Sequence, residues 1–525
     1  KRQSANIAEN LDDLQANAKV TAVIQSGIVT PLSITCAQLT NDAGILAKLS
    51  GNYSLRVTGV AAATVGAVDG AKDLLAHNAK VAAVSVTATA SEISANIADL
   101  ARLGGKLAGL IQTDPASAIN LTDASLVANR AVLDRIDGYR VNVSAVSVAR
   151  ALVLADDDRV VSINISATGA EIAKYFDALK ATLPKVVGIN KPSSGAPPVT
   201  ALTLGAEQYA QGGALLAKIG DYTATVKGVS AGYAQTLSSD DHVAALLVAD
   251  SSANIARNLD DLKANVKVAG ITLEDVNTPL NITETQRAAD TTTLGMIAGD
   301  WVMNVTGVAA ENAATVNAAA HVANFSVATN AAGVANNLVA LGGSPKLLSI
   351  TLDNPGSLLS LTAASLLTTG NLAAVQKIDN GYSLAVSAAT VANLTDLAEI
   401  DNVASIGIAD SSANLSDKFD DLIDLGAQLM EVSLTAPSVP LALTYEQVVA
   451  GADVMAKVPS GSYMVDLFDV PADHVESLAA SDKVDEIHVT DYSYNIAGYW
   501  ENLVGKAQLM SISLLDNDAI SLTKE

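Results

Sequence analysis

Sulfur, rings and positive charge are all scarce in this chain. Its 525 residues include one cysteine, Cys36, which leaves no internal disulfide framework and no cysteine-based zinc site. Five histidines, without an HExxH motif or a pair at ligand spacing, give zinc no foothold. Aromatic residues make up 3% of the chain, so the core must be built from small and branched aliphatic side chains. Lys and Arg number 31 against 55 Asp and Glu, and the net charge of −24 repels nucleic acid and anionic membrane surfaces. No apolar run approaches the roughly 18–20 residues of a membrane-spanning helix, so no membrane insertion is expected. The opening KRQSANIAEN carries no apolar signal region. A phosphate-binding glycine loop and a G-x-S-x-G nucleophile motif are both missing, and no enzymatic activity is expected.

What the sequence does have is repetition. Half of its residues are apolar, and one segment recurs seven times, from SANIAENLDDL at Ser4 through SANIARNLDDL at Ser252 to SYNIAGYWENL at Ser493. Aligning Asn6, Glu92, Glu171, Asn254, Gly333, Asn414 and Asn495 gives spacings of 86, 79, 83, 79, 81 and 81. Apolar residues at i, i+4 and i+7, such as Ile172, Phe176 and Leu179, predict an amphipathic helix in each copy. Alternating segments such as VVSINI from Val160 predict a half-buried strand ahead of it, and segments such as VAGITL from Val268 a second strand after it. A turn usually containing proline (Pro31, Pro115, Pro198, Pro279, Pro355 or Pro440) leads to a short third strand, then a helix. A fourth strand is opened by an aromatic: Tyr53, Tyr139, Tyr222, Trp301, Tyr382 and Tyr463. An Ala-rich helix closes the unit.

The expected fold is therefore an α/β tandem repeat of about 80-residue β-α-β-β-α-β-α units in an elongated array. Two layouts remain open. Ferredoxin-like units in series would close a central hairpin at the proline turn, whereas a continuous α/β solenoid would stack helices and strands into one core. The copies run 1–80, 81–159, 160–242, 243–321, 322–402 and 403–483, with a partial seventh at 484–525. The first copy lacks its first strand and the last stops within its third, which suggests a slice of a longer array or ends completed by neighbouring subunits.

The polar residues read mainly as scaffold. Ser4, Ser252 and Ser412 sit where helix caps belong. Lys80, Arg159, His242, His321, Asn402 and Lys483 fill one place and read as a tolerant surface turn. The pairs Asp12–Asp13, Asp260–Asp261 and Asp420–Asp421 read as solvated helix faces. Calcium is the one small ligand the composition suits, through the acidic turns Asp156, Asp157, Asp158 and Asp516, Asp518, although neither an EF-hand loop nor a calcium-binding nonapeptide is present. The six aligned aromatics read as covers of the core between repeats, with a carbohydrate-binding ladder as the alternative.

With the SANIAENLDDL helix, the TPLSIT strand and the YSLRVTGVAA strand, the chain resembles the long Ala/Val/Thr-rich tandem-repeat surface proteins of bacteria. The resemblance spans the whole chain and implies a secreted or surface-attached product of the adhesin, S-layer-like or filament-forming kind. The expectation is an extracellular structural subunit that self-associates into a polymer or lattice. The alternative is an adhesin stalk or repeat array that binds a cell-surface glycan.

Overall fold

The computed structural model describes residues 3–66, 68–69, 72–190 and 200–522. They fall into two compact units, one of residues 1–250 and 264–272, the other of residues 251–263 and 273–525. Six four-stranded sheets follow one another along the described chain, three belonging to each unit. In the first sheet Leu32–Thr35, Leu55–Ala61, Val81–Ala88 and Leu107–Gln112 lie side by side in chain order, joined by parallel ladders. The other sheets, within 119–190, 200–273, 280–352, 357–434 and 441–514, keep the same order. A parallel neighbour is reached only by a crossover, and a helix supplies it. Side-chain bonds between adjacent strands therefore join residues a full crossover apart: Ser162 to Asn142 at a separation of 20, Asn142 to Asn120 at 22, Asn190 to Asn164 at 26.

This order excludes the ferredoxin-like layout, because the proline turn closes no hairpin. Leu107–Gln112 and Ile119–Thr122 flank Pro115 yet belong to different sheets. Leu107–Gln112 pairs with Val81–Ala88 and Ile119–Thr122 with Val141–Val146. In the first unit, Ile189 in the strand Val186–Asn190 bridges to Ile219, while Thr200–Gly205 pairs with Tyr222–Val229 a few residues further on. The second unit repeats the step at Ile350 and Ile378, ahead of the pairing of Ser357–Thr362 with Tyr382–Ala389. At these two steps the ladder passes from one sheet to the next. The divisions at 81, 160, 243, 322, 403 and 484 fall close to the start of each sheet's third strand. Pro198 lies outside the described residues.

The repeated helix differs from a single amphipathic helix in a regular way. Ser4–Glu9 is separated from Leu11–Ala16 by Asn10, whose φ is −109° and ψ 20°. The same break recurs at Asn96, Tyr175, Asn337, Lys418 and Tyr499. Asparagine favours it by competing for backbone groups: the Nδ2 of Asn10, Asn96, Asn258 and Asn337 donates to the carbonyl four residues back at 2.8–2.9 Å. Apolar positions on both sides of the break remain in the core, with Ile172, Phe176 and Leu179 at 1%, 0% and 0% exposure.

The caps sit one residue earlier than the serine positions suggest. Ser251 and Ser411 accept from Asn254 N and Asn414 N, and Thr89 and Thr168 close capping boxes with Glu92 and Glu171. The buried Ser252 and Ser412 hydroxyls donate instead to the turn after the next strand, to Thr278 O at 2.8 Å and Val439 O at 2.6 Å. They tie one crossover to the next.

Core packing is compensated between successive helices. A Cβ at Gly212 would lie 2.4 Å from Phe176 Cζ, and one at Gly451 would lie 2.4 Å from Phe419 Cε1. Copies with the smaller Leu11, Ile97 and Leu259 at the Phe position carry Asp42, Asn129 and Asp290 at the Gly position. Only glycine leaves room for the ring. Gly451→Ala should therefore destabilise the protein by about 2 kcal/mol, and Phe419→Leu should recover most of that loss in a double-mutant cycle read by chemical denaturation. Additive losses would contradict the pairing.

Candidate functional site

The six aligned aromatics share one local design. The backbone N–H two residues after each ring donates to the carbonyl of the residue just before, or at, the next strand's entry. The pairs are Leu55 to Lys80, Val141 to Arg159, Ala224 to His242, Met303 to His321, Leu384 to Asn402 and Val465 to Lys483, all at 2.7–2.9 Å. That bond carries the accepting residue's side chain over the ring in five of the six. Lys80 Nζ lies 4.4 Å from the Tyr53 centroid, Arg159 Cζ 5.0 Å from Tyr139 and Lys483 Nζ 4.9 Å from Tyr463. His242 and His321 stack on Tyr222 and Trp301 at 4.3 Å, with interplanar angles of 9° and 3°.

The position that reads in sequence as a tolerant turn is thus selected for a flat or cationic group that covers a ring. Its positive φ at His321 and Asn402, 62° and 69°, adds a reason for the asparagine. Tyr139 and Trp301 are 4% and 7% exposed. Rings engaged in this way cover the edge of the core in five of the six places.

The acidic residues are engaged in the same manner. Asp12, Asp177, Asp260 and Asp420 accept from Gln38, Gln208, Gln286 and Gln447 on the next helix at 2.8–3.5 Å. Gln38, Gln286 and Gln447 also close capping boxes with Thr35, Thr283 and Thr444, and Gln208 Oε1 accepts from Gly205 N. Asp114 and Asp275 accept from the first helical N–H groups of Ala90 and Ser252, and these bonds hold both carboxyls below the usual range. Asp516 receives Ser493 N at 3.1 Å in the same role. Asp157 accepts from Arg159 N, and Asp156, Asp158 and Asp518 are exposed. Among the described residues, no group of three or more His, Cys, Asp or Glu is placed to hold a metal ion, so the calcium candidates do not converge.

Two recurrent roles escaped the sequence reading. Buried Asp410 and Asp491 end a strand and gather N–H groups from Val391 and Ser411, and from Ala472 and Tyr492. Lys106, Lys185, Lys267 and Lys346, each next to the start of a strand, donate to carbonyls of the preceding crossover at Ala76, Asp157, Asp240 and Ala319. The signals were present as a recurring Asp-x-Ser-x-Asn and as lysine before Leu or Val. In the last sheet His488 Nδ1 lies 2.7 Å from Ser511 Oγ and Nε2 3.4 Å from Glu486 Oε2. This row occupies a strand face with Ser511 exposed, not a cleft that could orient a substrate.

No protein-family model matches the chain, and no curated protein matches it in sequence. Among the described residues, no helix is long and apolar enough to cross a membrane.

One carboxyl is held against its preference. Asp42 is 3% exposed, and burial, then the neighbouring Asp12 carboxyl, push its pKa from 3.8 up to about 6. An acid whose folded value is raised fits best when protonated, so its contribution to stability declines as pH rises from the unfolded value through the folded one. Asn129, in the equivalent place, donates to Ser125 O at 2.8 Å. Asp42→Asn should raise stability at pH 7.5 by about 1–2 kcal/mol and flatten the decline between pH 4 and 6. Thermal melts across that range test it, and an unchanged profile would count against the assignment.

Proposed function

We propose that this chain is an extracellular structural protein, a subunit of a surface filament, sheath or S-layer-like assembly held by contacts between repeats and by end-to-end association. The observation that carries the reading is the reuse of side chains. The ring covers, Gln–Asp bonds, serine ties and lysine bonds each recur at successive crossovers, so the polar chemistry is invested in joining one stretch of scaffold to the next. The resemblance to bacterial tandem-repeat surface proteins points the same way and supplies the cell-surface location.

In this reading the repeat is a unit of about 80 residues made of three strand-to-strand crossovers. Each copy contacts chiefly its neighbours, so length grows with copy number while width stays fixed. A net charge of −24 keeps such an object soluble until its contacts engage.

Negative-stain electron microscopy of the purified chain, with and without a chelator, should show rods or fibres. A compact, monodisperse monomer in both conditions would overturn the proposal.

A further inference from the structure

Aromatic side chains are few, yet three of the twelve tyrosines line one cleft in the first unit. Tyr209 comes from the helix Ala206–Gln211, Tyr222 opens the strand Tyr222–Val229, and Tyr233 lies in the helical turn Ala231–Ala234. Asp240 and His242, from the turn into the strand Val243–Asp250, complete the wall. The corresponding places of Tyr209 and Tyr233 hold Leu126 and Arg150 one period earlier, and Arg287 and Asn312 one period later. The tyrosine set is therefore not demanded by the repeat.

The polar groups in the cleft are already oriented. Tyr209, 8% exposed, donates its hydroxyl to Asp240 Oδ2 at 2.7 Å, and Asp240 Oδ1 accepts from His242 N at 2.9 Å. Each carboxylate oxygen keeps a further lone pair. The Tyr222 ring is stacked on His242 and lines the cleft, with its hydroxyl bonded to that of Tyr209. Tyr233 is half-buried, and no ring or cation is stacked on it among the described residues. Lys267 Nζ donates to the Asp240 carbonyl oxygen at 2.6 Å, and Asp221 adds a second acidic residue to the lining. What remains is an open aromatic surface beside fixed acceptors and hydroxyls, which suits a neutral ring bearing hydroxyl groups.

We propose that the cleft formed by Tyr209, Tyr222, Tyr233 and Asp240 binds a single sugar residue, with Asp240 accepting from its hydroxyls and Tyr233 covering its C–H face. This site is local to one repeat and takes a single ring, Tyr222, from the row of aligned aromatics. It goes beyond the structural role and does not rest on it, since assembly is read by microscopy and binding by titration.

The test is saturation-transfer NMR and calorimetric titration of the full chain with methyl glycosides of glucose, galactose, mannose and N-acetylglucosamine. Tetramethylammonium is run in parallel as a cationic probe. Binding of at least one glycoside at millimolar or lower concentration is expected, weakened about tenfold or more by Tyr233→Ala and by Asp240→Asn. Circular dichroism should show both variants folded, and Asp240→Asn retains an acceptor for Tyr209, so it serves as the second variant if Tyr233→Ala unfolds. The proposal is overturned if no glycoside binds, if binding survives both substitutions, or if only tetramethylammonium binds.

Discussion

A parallel ladder can be extended only by leaving the sheet and coming back, and that return distance governs everything else in this chain. Each crossover must supply a helix, bury it on the strands and deliver the next strand in register. Residues that meet across the ladder are then about one crossover apart in sequence, as Asn120, Asn142 and Ser162 are. A position that works at one crossover works at the next, and the sequence can repeat.

The same geometry explains where the polar chemistry goes. Crossovers expose helix N-termini and strand-end carbonyls at every turn of the chain, and buried backbone groups must be paired. Asp114 and Asp275 take the helix N–H groups, and Lys185 and Lys267 take the carbonyls. Five of the six aromatics lie under a cation or an imidazole. Strongly acidic composition and scarce lysine are thus two sides of one arrangement, in which a small number of ammonium groups serve the backbone more than they neutralise carboxylates.

Much of this was legible from the residues. The period and the apolar helix face follow from spacing alone, because Ile172, Phe176 and Leu179 must share a side, as Ile163 and Ile165 must on their strand, whereas the burial of Val160 in place of Val161 comes from a register shift that alternation does not show. Strand direction was not legible. Two alternating segments around Pro115 look the same whether they fold back on each other or pair with different strands, and only the pairing decides. The helix break at Asn10 was hidden since a kink preserves the i, i+4, i+7 pattern. The ring covers were missed because Lys80, Arg159, His242 and His321 differ in charge and size. What they share is a place opposite an aromatic some 20 to 27 residues earlier, which spacing arguments within one element cannot see. The tyrosine cleft was hidden for the same reason, its parts lying on three elements.

If each stretch depends chiefly on its neighbours, one period can be removed without harm to the rest. Deleting residues 322–402 and following unfolding by circular dichroism against denaturant is the most direct measurement. The account predicts unchanged helical and strand signal per residue, a cooperative transition and a denaturant dependence reduced in proportion to the lost length. A collapsed or unfolded product would contradict it.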